Sequence, residues 1–284
     1  MRIRGVRRSR NIEDRRSRAS GGRRAGGRRA GGIGGIGLLV VLAIGYFAGI
    51  DVTPLLQGGS APATQQRPVS QADQRAAEFT SVVLGTTEDV WAQIFRDQIG
   101  RQYTPPVLVL YSNVTTSPCG GASGATGPFY CPADRKAYLD TAFFATLSER
   151  MGARGDFAAA YVVAHEVAHH VQNELGILGK VSAARRQATQ VQSNALTVRL
   201  ELQADCFSGV WARSVEGLME RGDLQEALNA ARMIGDDHLQ RQFGRVPQPH
   251  TFTHGTSDQR ERWFARGFDT GQIQNCDTFA AQQL

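Results

Sequence analysis

Residues 157–169 read Phe157-Ala158-Ala159-Ala160-Tyr161-Val162-Val163-Ala164-His165-Glu166-Val167-Ala168-His169, an apolar run without Gly or Pro that ends in two histidines. Such a run favours a helix. Side chains four apart on a helix share one face, one turn from each other. His165 and His169 can therefore offer two imidazoles to a single cation. Glu166 follows the first of them and can address water held on that cation rather than the cation itself. His170 points about 100° away around the helix and reads as a non-ligand.

Two imidazoles do not complete a catalytic metal site. Three protein ligands with one position left for water is the usual arrangement. Downstream, Glu201-Leu202-Gln203-Ala204-Asp205 offers two carboxylates four apart, flanked by Leu200, Cys206 and Phe207. The apolar neighbours imply partial burial, and buried carboxylates need partners. Glu201 as third ligand and Asp205 as hydrogen-bond acceptor for a ligand imidazole would complete the site. Nitrogen and oxygen donors of this kind suit Zn2+, although another divalent ion accepts the same set. The same residues leave open a non-catalytic envelope adaptor, in which His254 or Cys206 would fill the fourth position.

Around this centre the chain has 284 residues, 41% of them hydrophobic, which excludes a wholly disordered or collagen-like protein. Its formal charge of +6 is unevenly distributed. Residues 1–30 hold 12 arginines against Glu13 and Asp14, a net of +10, whereas the remaining 254 residues carry 20 basic and 24 acidic groups. No aromatic interleaves the arginines, so nucleic acid is not an expected partner. From Gly31 to Ile50 there is no charge, a length that matches the hydrocarbon core of a bilayer. The expected organisation is an Arg-rich cytoplasmic tail at 1–30, a transmembrane helix at 31–50, a flexible linker at 51–72 and a domain at 73–284. The arginines then place the domain outside the cytoplasm.

Four cysteines suit that compartment. Three connectivities are open; pairing the sequence neighbours Cys119 and Cys131 across a Gly-rich loop leaves Cys206 with Cys276. Two short helical patterns are expected after residue 72, the second from a hydroxyl cap at Thr86 or Thr87, followed by a strand at 107–111 and one or two more within 129–140. Helices are expected at 141–151, 156–175, 180–200, 201–220 and 223–240, and near 256–268. The fold class is α+β, predominantly helical, with a small sheet. Trp211, Trp263 and Phe264 read as core. Asp236 and Asp237, beside His238, read as an exposed acidic helix end.

His165–His169 followed by Glu201–Asp205 resembles the gluzincin metallopeptidases. More closely, the chain resembles the bacterial putative neutral zinc metallopeptidase family through Tyr130-Cys131-Pro132, His165 to His170, Glu201 to Cys206 and His254-Gly255-Thr256. The resemblance implies a zincin-like, membrane-anchored zinc peptidase domain but brings no substrate; a peptide or protein substrate is the expectation from the site chemistry. The late segment also resembles that of the CAAX-type and heat-shock membrane metallopeptidases, with Arg260 six residues after His254. There a His-Pro pair stands where this sequence has His254-Gly255. That likeness implies His254 as a donor to the oxyanion, with Arg260 nearby. By analogy with gluzincins, the strand near Tyr130–Leu139 would align an extended substrate.

Overall fold

In the computed structural model the described residues are 1–17, 69–123, 127–149 and 151–284. The first long helix, α1 (Gln71–Ile94), is continuous where two short helices were expected, and begins about four turns before Thr86. Ser70 caps it reciprocally with Asp73, a box that satisfies two free backbone donors. Thr86 and Thr87, expected as caps, lie inside α1 and bond back to Val83 and Leu84 carbonyls. The expected linker therefore ends before Gln71.

A four-stranded sheet covers one side of the helices. Its order is β1 (Ile12–Asp14), β2 (Val107–Tyr111), β6 (Lys136–Asp140), β5 (Phe129–Cys131). The first three are mutually parallel, and β5 runs antiparallel along the outer edge of β6. A separate hairpin pairs β3 (Val114–Ser117) with β4 (Gly120–Ser123). Cys119 and Cys131 form a disulfide that ties this hairpin to β5.

Beyond the sheet follow α2 (Phe143–Glu149), α3 (Asp156–Glu174), α4 (Ile177–Arg185), α5 (Gln190–Ser214), α6 (Asp223–Met233), α7 (Asp236–Gln242) and α8 (Ser257–Thr270). The two helices expected at 180–200 and 201–220 have different bounds. Thr189 caps a single 25-residue α5, so the Glu201–Asp205 stretch lies mid-helix. The architecture is α+β and mostly helical, as expected.

Helices α5 and α8 approach backbone to backbone. A Cβ on Gly267 would lie 1.9 Å from the Cys206 carbonyl oxygen, and one on Gly209 would lie 2.0 Å from that of Phe264. Only glycine permits this crossing. The Cys206–Cys276 disulfide closes the same region. Trp211, Trp263 and Phe264 are buried here, as the sequence suggests.

The expected basic tail is corrected over the part described. Residues 1–17 are not apart from the domain: Met1 is buried, Ile3 and Ile12 pack on the core, and β1 is a sheet strand. Their arginines find carboxylates on the domain, Arg7 with Glu88 and Asp89, Arg8 with Glu78. The Met1 ammonium meets Asp156, Glu220 and Asp223. The expected span at 31–50 lies outside the described residues. Among the described residues no helix is long and apolar enough to cross a membrane.

Candidate metal centre

Helix α3 carries His165 and His169 on the face turned to α5, which supplies Glu201. His165 Nε2 lies 3.1 Å from Glu201 Oε2, and His169 Nε2 lies 3.5 Å from Glu201 Oε1. One donor atom from each of the three falls within 4.8 Å of the others. With metal–ligand bonds of about 2.0–2.1 Å, neighbouring ligands of a tetrahedral zinc stand about 3.4 Å apart, so the spacing fits that ion. Among the described residues the cluster has three members, and Cys206 is held in its disulfide. That removes Cys206 as a fourth ligand.

Each imidazole is fixed from behind. His165 Nδ1 is in contact with Asp205 Oδ1 at 2.9 Å. Asp205 is fully buried and receives Arg260 through Nε to Oδ2 at 2.8 Å and Nη2 to Oδ1 at 2.9 Å. Tyr161, one turn before His165, donates its hydroxyl to Asp205 Oδ1 at 2.5 Å. His169 Nδ1 pairs with Gln172 Oε1 at 2.9 Å, while Gln172 Nε2 donates to the Leu200 carbonyl and to Gln203. These partners select the tautomer that turns Nε2 of both rings towards Glu201.

The charges follow from the same contacts. Burial alone would raise Glu201, yet His169 and His165 hold it well below the usual carboxylate range. Burial also opposes ionisation of Asp205, and Arg260 with His165 outweighs it. His165 is pulled down by burial but carried to about 9 by Asp205 and Glu201. Glu166 behaves oppositely: burial pushes its carboxyl above the usual range. A carboxylate held ionised between two imidazoles is a donor set suited to a cation.

The sequence-derived residues converge, and three others join them. Asp236, expected at an exposed helix end, instead accepts at Oδ2 the amides of Thr253, His254 and Gly255, at 2.7, 2.6 and 3.0 Å. Its Oδ1 lies 3.2 Å from His254 Nδ1. This loop packs on α5, where a Cβ on Gly255 would meet Leu202 and Val198. Gly255 has φ +92°, a value closed to proline, which explains the departure from a His-Pro pair. Burial works against charge on His254, and Asp236 with Glu201 favours it. No local signal pointed to Asp236, 18 residues away; Tyr161 and Gln172 stood one turn from a ligand and were legible in principle.

His170 is buried and ligates nothing here. Its Nδ1 meets the Tyr130 hydroxyl at 2.9 Å and its Nε2 the Thr104 carbonyl at 2.7 Å, tying α3 to edge strand β5.

The model of the family described as "Putative neutral zinc metallopeptidase" matches residues 1–279. The chain belongs to this family. It is also 50% identical over 289 residues to protein YpfJ of Escherichia coli (strain K12), covering 98% of this chain and 99% of that one. Protein Rv2575 of Mycobacterium tuberculosis is 43% identical over 195 residues, 64% of this chain and 65% of its own length. No solved structure matches. The family implies zinc, in agreement with the donor set of His165, His169 and Glu201.

Proposed function

We propose that the protein is a zinc-dependent endopeptidase acting on peptide or protein substrates. The observation that carries this is the convergence of His165, His169 and Glu201 donor atoms within 4.8 Å, with Glu166 beside the first ligand. Zinc bound there supplies Lewis acidity to a water and to the scissile carbonyl.

The protein's own groups do the rest. The Glu166 carboxylate takes a proton from the attacking water and returns it to the leaving amine. Its upward shift, caused by burial, brings it nearer the range useful for both steps. His254, held at Nδ1 by Asp236, donates to the oxyanion as the carbonyl becomes tetrahedral. Arg260 acts one layer back: it keeps Asp205 ionised, and Asp205 steers His165. Strand β5, last in the sheet order among the described residues, would align an extended substrate along its outer edge. Two disulfides support an oxidising, extracytoplasmic compartment.

The test is a cleavage assay on a peptide library with the full-length protein, wild type beside Glu166→Gln. The variant keeps its zinc and loses hydrolysis. Undiminished turnover would remove Glu166 from the chemistry.

A further inference from the structure

Residues 1–17 run across the domain as a strap. Asn11 accepts from the Leu108 amide at 2.8 Å, Arg15 donates its amide to the Leu110 carbonyl at 2.7 Å, and Ile12, Glu13 and Asp14 stand opposite Leu108, Val109 and Leu110. Ser9 donates its amide to the Ser81 carbonyl on α1 at 2.8 Å, and its hydroxyl and the Asn11 amide group both reach Glu88. Lys136 of β6 pairs with Glu13 at 2.7 Å.

The domain is shaped for the strap. Gly85 lies inside α1, where glycine costs about 1 kcal/mol relative to alanine. A Cβ there would lie 2.6 Å from the Arg7 carbonyl oxygen and 3.2 Å from the Ser9 amide. Glycine is required because the strap's backbone crosses the helix at that point.

At the end of the strap, the Arg16 side chain is only 6% exposed, and its Nη1 donates to the Asp73 carbonyl at 2.7 Å. Asp73 belongs to the first turn of α1 and bonds to Ser70. The points where the chain departs after residue 17 and re-enters at residue 69 are thus neighbours on one surface.

We infer that residues 1–17 and the metal-site domain form one folded unit, so that both lie on the same side of the membrane. A single crossing would put about 30 Å of hydrocarbon between the strap and the domain it is built into. A double crossing needs about 40 apolar residues, whereas the run Gly31–Ile50 has 20, and the uncharged Val52–Gln66 beyond Asp51 is rich in Gln, Thr, Ser, Gly and Pro. Arg7, Arg8, Arg15 and Arg16, which sequence alone gives to the cytoplasmic face, instead bond to groups of this chain. This sidedness does not depend on the proposed activity.

The experiment labels single introduced cysteines in the full-length protein in its native membrane. Arg4→Cys and Arg10→Cys report on the strap, and Val246→Cys, 81% exposed, reports on the domain. The four native cysteines are held in disulfides. A membrane-impermeant maleimide is applied before and after lysis. Strap and domain reporters label alike, both before lysis or both only afterwards. Labelling of one set before lysis and the other only afterwards overturns the inference. A second variant, Arg8→Cys with Glu78→Cys, is treated with a short bis-maleimide. The bridge forms within one chain; its absence, with each cysteine reactive singly, overturns the docking on which the inference stands.

Discussion

Replacing Arg260 with methionine removes the only guanidinium that reaches Asp205 among the described residues. Arg260 is 1% exposed and Asp205 0%. The pair makes two hydrogen bonds, at 2.8 and 2.9 Å, and Arg260 Nη2 adds a third to the Tyr161 hydroxyl at 3.1 Å. The Arg260→Met variant leaves a buried carboxylate facing Tyr161 and His165 alone. Breaking a buried pair from one side costs about 3–5 kcal/mol, a large share of the roughly 5–15 kcal/mol that holds a domain folded. At about 1–3 kcal/mol per molar urea, the unfolding midpoint falls by on the order of 1 M or more. The assay is equilibrium urea unfolding of the metal-free protein, followed by circular dichroism. The double variant Arg260→Met with Asp205→Leu recovers most of the loss, because no charge is then left buried. A single variant within about 1 kcal/mol of wild type, below the range for a buried pair, would refute the assignment of Arg260 as the partner of Asp205.

Gln172→Ala frees the His169 ring and lowers zinc affinity by about 10–100-fold, read by competition with a chelator; unchanged affinity contradicts the role given to Gln172. Gly267→Ala forces α5 and α8 apart and lowers stability by about 1–3 kcal/mol, whereas Gly179→Ala, which meets nothing within 4 Å, is neutral or stabilising; thermal unfolding that ranks them the other way contradicts the crossing. Glu13 is lowered to about 2 by Arg15 and Lys136. A depressed carboxylate stabilises fully above its unfolded value of 4.5 and loses that contribution as pH falls towards 2. Exchange protection of the Arg15 amide on the strap therefore weakens across that window, and Glu13→Gln flattens the dependence.

The metal centre was legible because its parts are local. His165 and His169 announce themselves by helical spacing, and Glu201 with Asp205 by the apolar residues around two acids that would otherwise be solvated. Tyr161 and Gln172 stand one turn from the ligands but carry no ionised group to mark them. Asp236 had no local sign, since its role is to bind three amides of a loop 18 residues away. The boundaries of α1 and α5 were misplaced because tertiary burial holds Thr86, Thr87 and the 189–214 stretch in helix against their weak local preferences. The strap has no local signature. A dozen arginines look the same in sequence whether they meet lipid headgroups or the carboxylates of Glu78, Glu88 and Asp89, and only the three-dimensional arrangement distinguishes those partners.

The most direct measurement is the metal content of the purified full-length protein after loading and dialysis, for wild type, Glu166→Gln and Glu201→Ala. Stoichiometric zinc in the first two, with a sharp loss in the third, is the result expected of a site built from His165, His169 and Glu201. Zinc retained undiminished by Glu201→Ala, or absent from the wild type, would contradict it.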